Sequence, residues 1–472
     1  MALSSTLKTH LMEIINPANG QVIADIAADT TASISSKYQQ LLQGQQSWLS
    51  VPLPERIARL SRFHELLGQH QDRLAEILTS EVGKPLSQAA GEIRGARGRI
   101  EFFLQESEKW LADEWIAKSE QYGEMIRWEP LGVIANISAW NYPYLVGVNV
   151  FVPALIAGNA VMYKPSEYAT LTGLEIEQLL LEAGIPADVF YTVKGGAEAG
   201  EALLELPLDG YFFTGSYRTG QYIRQKTADK LVPIQLELGG KDPLYVSADN
   251  ADVQAVAQAA VEGAFYNAGQ SCCAVERVYV HESVYDQFVE AFVEEAATLQ
   301  VGAPTQEGTF IGPLTRASQP SFLAEQVADA VEKGAQILFQ PPLPEGTDSG
   351  YYFAPVVLGN VSHEMAVMKE ESFGPVIGIQ RVSDDEEAIA MMQDTPFGLT
   401  ASVYADNFET AKPIMDRMQS GTVYWNCCDR LSPSLPWSGR GDSGIGWTLS
   451  YLGIRAFTQP KAYHLKGKFS EK

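Results

Sequence analysis

A thiol delivered by a tight turn is the first group in this 472-residue chain that could do chemistry. In Phe265-Tyr266-Asn267-Ala268-Gly269-Gln270-Ser271-Cys272-Cys273 an apolar stretch ends at Gly-Gln, and Cys272 follows. A turn can expose a sulfur that a helix interior would bury, and a nucleophilic thiol needs that partial access. The plainer reading is a small buried hydrophobe. A thiol nucleophile also wants a base. The six histidines (His10, His64, His70, His281, His363 and His464) sit in no Gly-rich or turn motif, so a Cys–His pair is not suggested. Glu237 is the alternative, a single carboxylate in the apolar strand Gln235-Leu236-Glu237-Leu238 that runs into Gly239-Gly240-Lys241. Apolar neighbours disfavour its charged form and move it towards general-base behaviour. A solvated strand residue or an ion-pair partner would look the same.

Three further segments put polar groups at strand ends. Gly210-Tyr211-Phe212-Phe213-Thr214-Gly215-Ser216 reads as strand and Gly turn before a helix, a geometry that aims N–H groups at an anion. It is neither G-x-G-x-x-G nor a P-loop. Trp140-Asn141-Tyr142-Pro143 follows a buried strand, where α/β proteins place ligands. An Asn141 amide there can donate to a developing oxyanion, or simply make an Asx turn before Pro143. Tyr163-Lys164-Pro165-Ser166-Glu167 brings a cation and an acid to the same sheet edge.

The elements that must position these groups follow from periodicity. Helical spacing covers residues 54–83 and 87–111, after an opening turn at 16–20. Strands over 133–137, 160–163, 190–192 and 210–213 then alternate with helices over 145–157, 170–183 and 197–204. Such alternation predicts a parallel sheet with crossover helices. A second α/β unit follows residue 233, with helices over 252–268 and 283–299 and a strand over 277–281. Residues 340–350 read as a surface loop, and the acidic run 384–387 opens a helix. The tail from residue 453 is strand-like and ends in polar residues 466–472. No repeat of solenoid period is present.

Composition narrows the function classes. With 34 Lys+Arg against 58 Asp+Glu the net charge is −24, which opposes nucleic acid or an anionic membrane as partner. Four cysteines in two adjacent pairs, 272–273 and 427–428, exclude a disulfide scaffold and fit a reducing compartment. No metal site is suggested by their spacing. Residues 1–13 lack a signal peptide, and the apolar stretch 145–163 is too interrupted by Gly, Asn and Pro for a membrane span. A cytoplasmic protein is the expectation.

In order along the chain, Trp140-Asn141-Tyr142-Pro143, Lys164-Pro165-Ser166-Glu167, Phe213-Thr214-Gly215-Ser216, Leu236-Glu237-Leu238-Gly239-Gly240-Lys241, Asn267-Ala268-Gly269-Gln270-Ser271-Cys272 and Glu370-Glu371-Ser372-Phe373-Gly374-Pro375 form one constellation. It resembles the aldehyde dehydrogenase superfamily over nearly the whole chain. The resemblance implies oxidation of an aldehyde to a carboxylic acid, with Cys272 as nucleophile, Asn141 in the oxyanion site and Glu237 as the base that hydrolyses the thioester. It implies NAD(P) on a Rossmann-like domain, with Lys164 and Glu167 at the adenosine ribose, Ser216 at the pyrophosphate and Gly215 among the cofactor contacts. Trp140, Leu238, Glu371 and Phe373 complete the cofactor contacts, the last two at the nicotinamide ribose. A carboxylate at Glu167 favours NAD over NADP.

The implied fold is α/β: a Rossmann-like cofactor domain from 1–111 and 129–239, an α/β catalytic domain from 240–438, and bridging strands from 112–128 and 454–472. A homodimer or homotetramer is expected. Ala139 stands where the family usually has Pro, and Pro436 to Gly444 departs from the usual Pro-Phe-Gly-Gly pattern. Arg430, on the loop 426–431 that shapes substrate entry in the family, could meet a carboxylate-bearing aldehyde or be an exposed rim residue. A CoA-acylating or semialdehyde-specific relative and a non-catalytic member of the fold are the alternatives. Retention of Cys272, Glu237 and Asn141 argues for catalysis, and Glu237 for hydrolysis.

Overall fold

The computed structural model describes residues 11–468. His10, most of the 1–13 segment and the end of the polar tail lie outside the described residues. Val133–Ile137, Ala160–Lys164, Phe190–Thr192, Gly210–Thr214 and Ile234–Glu237 form the parallel part of a six-stranded sheet, and Gly444–Ile445 closes its edge antiparallel to the last of them. Val133–Ile137 and Ala160–Lys164 are buried at every position. That is why they read as unbroken apolar runs rather than alternating ones. The chain steps outward from Val133–Ile137 through the next two strands, then returns to the other side of it with Gly210–Thr214. The order therefore reverses at Val133–Ile137, and the carboxyl ends on either side of that switch point open a crevice.

A seven-stranded sheet carries the second lobe. Its central strands are Val275–His281, Asp242–Val246 and Val376–Val382, all parallel, with Gln336–Phe339 antiparallel at one edge. Each sheet has its own apolar core. A three-stranded antiparallel sheet, Glu114–Lys118, Tyr122–Pro130 and Thr458–Lys466, stands apart from both.

Several elements differ from the sequence reading. The turn at 16–20 closes a hairpin of Leu11–Asn16 with Gln21–Ala27, strands whose mostly exposed residues show no clear apolar face. Residues 54–83 form two helices, Leu53–Gln69 and Gln71–Val82, because His70 leaves helical geometry at φ −108°. The helix expected to reach residue 268 stops at Phe265, since Asn267 and Ala268 are left-handed (φ 54° each). The tail from residue 453 finishes a short helix, Ser450–Arg455, before its strand begins at Thr458. The apolar stretch 145–163 becomes the helix Pro143–Ala157 and a strand, and among the described residues no helix is long and apolar enough to cross a membrane.

That helix begins with Pro at its first turn, where a missing N–H costs nothing, and ends at left-handed Gly158. Phe151 at its centre is fully buried and meets Phe63, Tyr163 and Phe190 with ring centroids 5.5–6.0 Å apart. Phe151→Ala should therefore cost about 3–5 kcal/mol, read as a lower midpoint in denaturant or heat.

Candidate active site

A single cleft of about 1170 Å³ runs along the crevice and is lined by Cys272, Glu237, Asn141, Trp140, Lys164, Glu167, Gly215, Ser216, Leu238, Glu371 and Phe373. The structure thus gathers the candidate catalytic and cofactor residues into one place. Arg430 is exposed and does not line this cleft.

The turn that carries Cys272 is strained in its backbone and held by amide groups. Left-handed Asn267 and Ala268 double the chain back after the helix Val253–Phe265. Gly269 follows at φ 69°, and a Cβ there would sit 2.4 Å from the Gly374 carbonyl oxygen. The turn persists because its surroundings over-determine it. Gln88 Oε1 accepts from the Asn267 N–H (3.1 Å), and Gln270 Oε1 accepts from the Thr315 N–H (3.0 Å). The two thiols that emerge differ. Cys272 is half-buried and faces the cleft, while Cys273 is buried and donates to Asp429 Oδ1 at 2.9 Å. The neighbouring Cys272, then burial and Asp429, push the Cys273 thiol well above its ordinary range.

Asn141 is buried, and its Nδ2 donates to the Gln270 carbonyl at 3.1 Å, so the amide lies against the turn that carries Cys272. Its backbone carbonyl accepts from Lys84 Nζ at 2.7 Å. Lys84 pairs with Glu92, both fully buried side chains, and Glu92 Oε1 also accepts from the Tyr144 N–H at 2.8 Å. Lys84 lies 3.7 Å over the Tyr142 ring as well. Glu237 is 7 % exposed at the end of its strand. Burial raises its pKa, opposed by hydrogen bonds from Thr448 and Gln235 and by the charge of Arg99. Arg99 is itself buried, donates to the Leu145 carbonyl and Asn149 Oδ1 (3.1 and 3.0 Å), and faces Glu237, Glu92 and both cysteines.

The outer cleft suits a dinucleotide. Ser216 caps the helix Tyr217–Lys226 at the mouth, giving the positive end of a helix dipole for a pyrophosphate. Gly196 leaves open space where a Cβ would stand. Lys164 is buried beside exposed Glu167, whose Oε2 accepts from Ser166 Oγ at 3.2 Å. Nearer the thiol, a Cβ on Gly239 would lie 2.2 Å from Glu371 Oε1, and the Gly240 N–H donates to that oxygen at 3.2 Å. Burial, then the Glu276 carboxylate, raises the Glu371 pKa. Phe373 is left-handed (φ 49°) and packs edge-on to Trp140, centroids 5.5 Å apart. Glu276 holds that strained loop by accepting from the Ser372 and Phe373 N–H groups (2.8 and 2.9 Å) and pairing with Lys241. Among the described residues no group of three His, Cys, Asp or Glu could hold a metal ion.

Sequence reasoning misses Lys84, Glu92, Arg99, Glu276 and Thr448. A signal exists for two of them: Glu92 and Arg99 share a helix face with Ala89, Ile93, Ala96, Ile100 and Phe103, and charge on a buried face marks a partner. Glu92→Ala would leave the Lys84 ammonium buried without a counter-charge. It should cost about 3–5 kcal/mol of stability and, by releasing Asn141, lower turnover, checked by denaturation and steady-state kinetics.

Comparison with known proteins agrees with this geometry. The model of the aldehyde dehydrogenase family matches residues 3–463. A 3,6-anhydro-alpha-L-galactose dehydrogenase of Streptomyces coelicolor is 36 % identical over 460 residues, covering 96 % of this chain and 93 % of its own. Among solved structures, an NADP-dependent enzyme of E. coli superposes with a TM-score of 0.93 at 31 % identity, covering 97 % of this chain and 95 % of that one. The betaine aldehyde dehydrogenase of Staphylococcus aureus, solved with NAD+, gives 0.92 at 27 % identity and covers 97 % and 92 %. The chain belongs to the aldehyde dehydrogenase family, enzymes that oxidise an aldehyde to a carboxylic acid with NAD(P).

Proposed function

We propose that this aldehyde dehydrogenase is hydrolytic, with Cys272 as nucleophile, Asn141 as oxyanion donor and Glu237 as the base for water. The observation that carries the reading is that three separate segments bring these side chains to one cleft while burial keeps Glu237 basic. Attack of the Cys272 thiolate on the aldehyde carbon forms a C–S bond and leaves an oxyanion. Asn141 Nδ2 and the Cys272 N–H are the donors for that charge. Bound NAD(P) supplies the hydride acceptor that turns the thiohemiacetal into a thioester. Glu237 then takes a proton from water, the hydroxide oxygen attacks the thioester carbon, and the C–S bond breaks to release the acid and the thiolate. A CoA-acylating relative would not need that base.

Lys164, Glu167, Gly215 and Ser216 would hold the adenosine half of the cofactor, and Trp140, Leu238, Glu371 and Phe373 the nicotinamide half. Glu167 can accept from ribose hydroxyls and repels a 2′-phosphate, which favours NAD over NADP. Residues 1–111 and 129–239 make the cofactor domain and residues 240–438 the catalytic domain on this reading. The strands near 112–128 and 454–472 serve assembly into a homodimer or homotetramer, a role supported by exposed Trp115 and Ile116 on the outer strand. Four free thiols fit a reducing, cytoplasmic setting.

Purified protein should form NADH from an aldehyde panel without CoA, and Cys272→Ser should abolish it. NADH only in the presence of CoA would overturn the hydrolytic reading. The kcat/KM for NAD should exceed that for NADP, and Glu167→Gln should narrow the ratio; a wild-type preference for NADP would sink the cofactor assignment.

A further inference from the structure

Thr448 is fully buried, and its hydroxyl donates to Glu237 Oε1; Gln235 Nε2 donates to the same oxygen at 3.2 Å. The segment that delivers Thr448 is firmly built. Its N–H and carbonyl both pair with Trp437 (2.9 and 2.8 Å), and Trp437 lines the cleft. Just before it, Gly444 pairs with Glu237 itself and Ile445 with Leu236, so the base's strand and the Thr448 segment share one sheet edge. Just after it, the helix Ser450–Arg455 packs so closely that a Cβ on Gly453 would lie 2.6 Å from the Thr448 carbonyl carbon. A hydroxyl held from three sides has one place to donate.

We propose that Thr448 is a positioning residue for the catalytic base, fixing the Glu237 carboxyl through this hydrogen bond. The proposal rests on Glu237 being the base of thioester hydrolysis. A donor on a carboxyl oxygen stabilises the ionised form more than the neutral acid. Burial pulls Glu237 the other way, and among the described residues no ammonium pairs with it. The groups that face it are Thr448 from the C-terminal segment, Gln235 from its own strand, Thr214 from the neighbouring strand, and Arg99 from the helix Leu86–Leu111. Arg99 divides its charge among Glu237, Glu92, Cys272 and Cys273, so the direct supports are the Thr448 hydroxyl and the Gln235 amide, of which only the hydroxyl comes from outside the base's own strand.

The test compares Thr448→Val, Thr448→Ser and Glu237→Gln by the pH profile of kcat and by mass spectrometry of acyl-Cys272 after acid quench. Thr448→Val should raise the Glu237 pKa and move the acid limb of the profile up by about one pH unit, roughly a tenfold loss of turnover below the limb. Acyl-Cys272 should then accumulate in the steady state, and Thr448→Ser should restore both readouts. Thr448→Ala removes the same donor with less volume and serves if Val is not accommodated. An unmoved limb and no acyl-enzyme in the donor-less variants, with Glu237→Gln stalled at the thioester, would show that Thr448 only packs. Glu237→Gln with wild-type turnover and profile would instead overturn the assignment of the base, and the proposal with it.

Discussion

One buried ion pair sets the position of Asn141, the proposed oxyanion donor. Lys84 and Glu92 are each almost without exposure, and between them they hold the Asn141 carbonyl and the Tyr144 N–H, the two ends of the turn that carries the Asn141 side chain. Two bare charges in an apolar interior would cost several kcal/mol each. Here each is satisfied by its partner and by a backbone group as well, the condition under which burial is tolerated. The turn is thereby fastened to the long helix Leu86–Leu111 rather than left as a loop, and the same helix carries Arg99. Because Asn141 Nδ2 in turn rests on the Gln270 carbonyl, the turn that carries Cys272 is registered against the same pair.

The cofactor side repeats the device. Glu276 pairs with Lys241 and accepts from two successive N–H groups, which lets Phe373 keep a left-handed backbone and present its ring to Trp140. Glu237 is built differently. It receives a hydroxyl and an amide but, among the described residues, no ammonium, and the Arg99 charge that acts on it is shared with other groups. A carboxylate clamped by an ammonium is a poor base, whereas one held by neutral donors keeps its position and retains basicity. The difference in partner type separates Glu92 and Glu276, which hold backbone turns, from Glu237, the proposed base.

What the sequence makes legible depends on range. Strands such as Val133–Ile137 are buried on both faces, so their apolar runs and the glycines and polar residues just beyond them are local signals. The residues lining the cleft lie in those turns and can be found by eye. The first hairpin cannot, because its residues are mostly exposed and carry no clean alternation. The break at His70 and the left-handed Asn267 and Ala268 come from tertiary packing overriding helical spacing. Thr448 and Glu276 are invisible for a related reason: their partners lie 211 residues away at Glu237 and 96–97 away at Ser372 and Phe373. Neither type nor neighbours announce such contacts.

The vicinal cysteines show how the fold assigns different roles to adjacent identical side chains. Cys273 is turned inward, and its thiol is committed to Asp429, a residue left-handed at φ 47° on the loop after Trp425. Burial pushes the Asp429 carboxyl up to about 6, and the contacts from Cys273 and Ser271 work against that rise. A protonated thiol donating to a carboxylate is stable where it stands and gives no thiolate to attack a substrate. Cys272, one residue earlier on the same turn, faces the cleft instead. The bond that commits Cys273 to Asp429 also ties the loop 426–431 to the turn that carries Cys272. A shift of that loop is therefore felt first at Ser271 and Cys273, on the chain segment that positions Cys272.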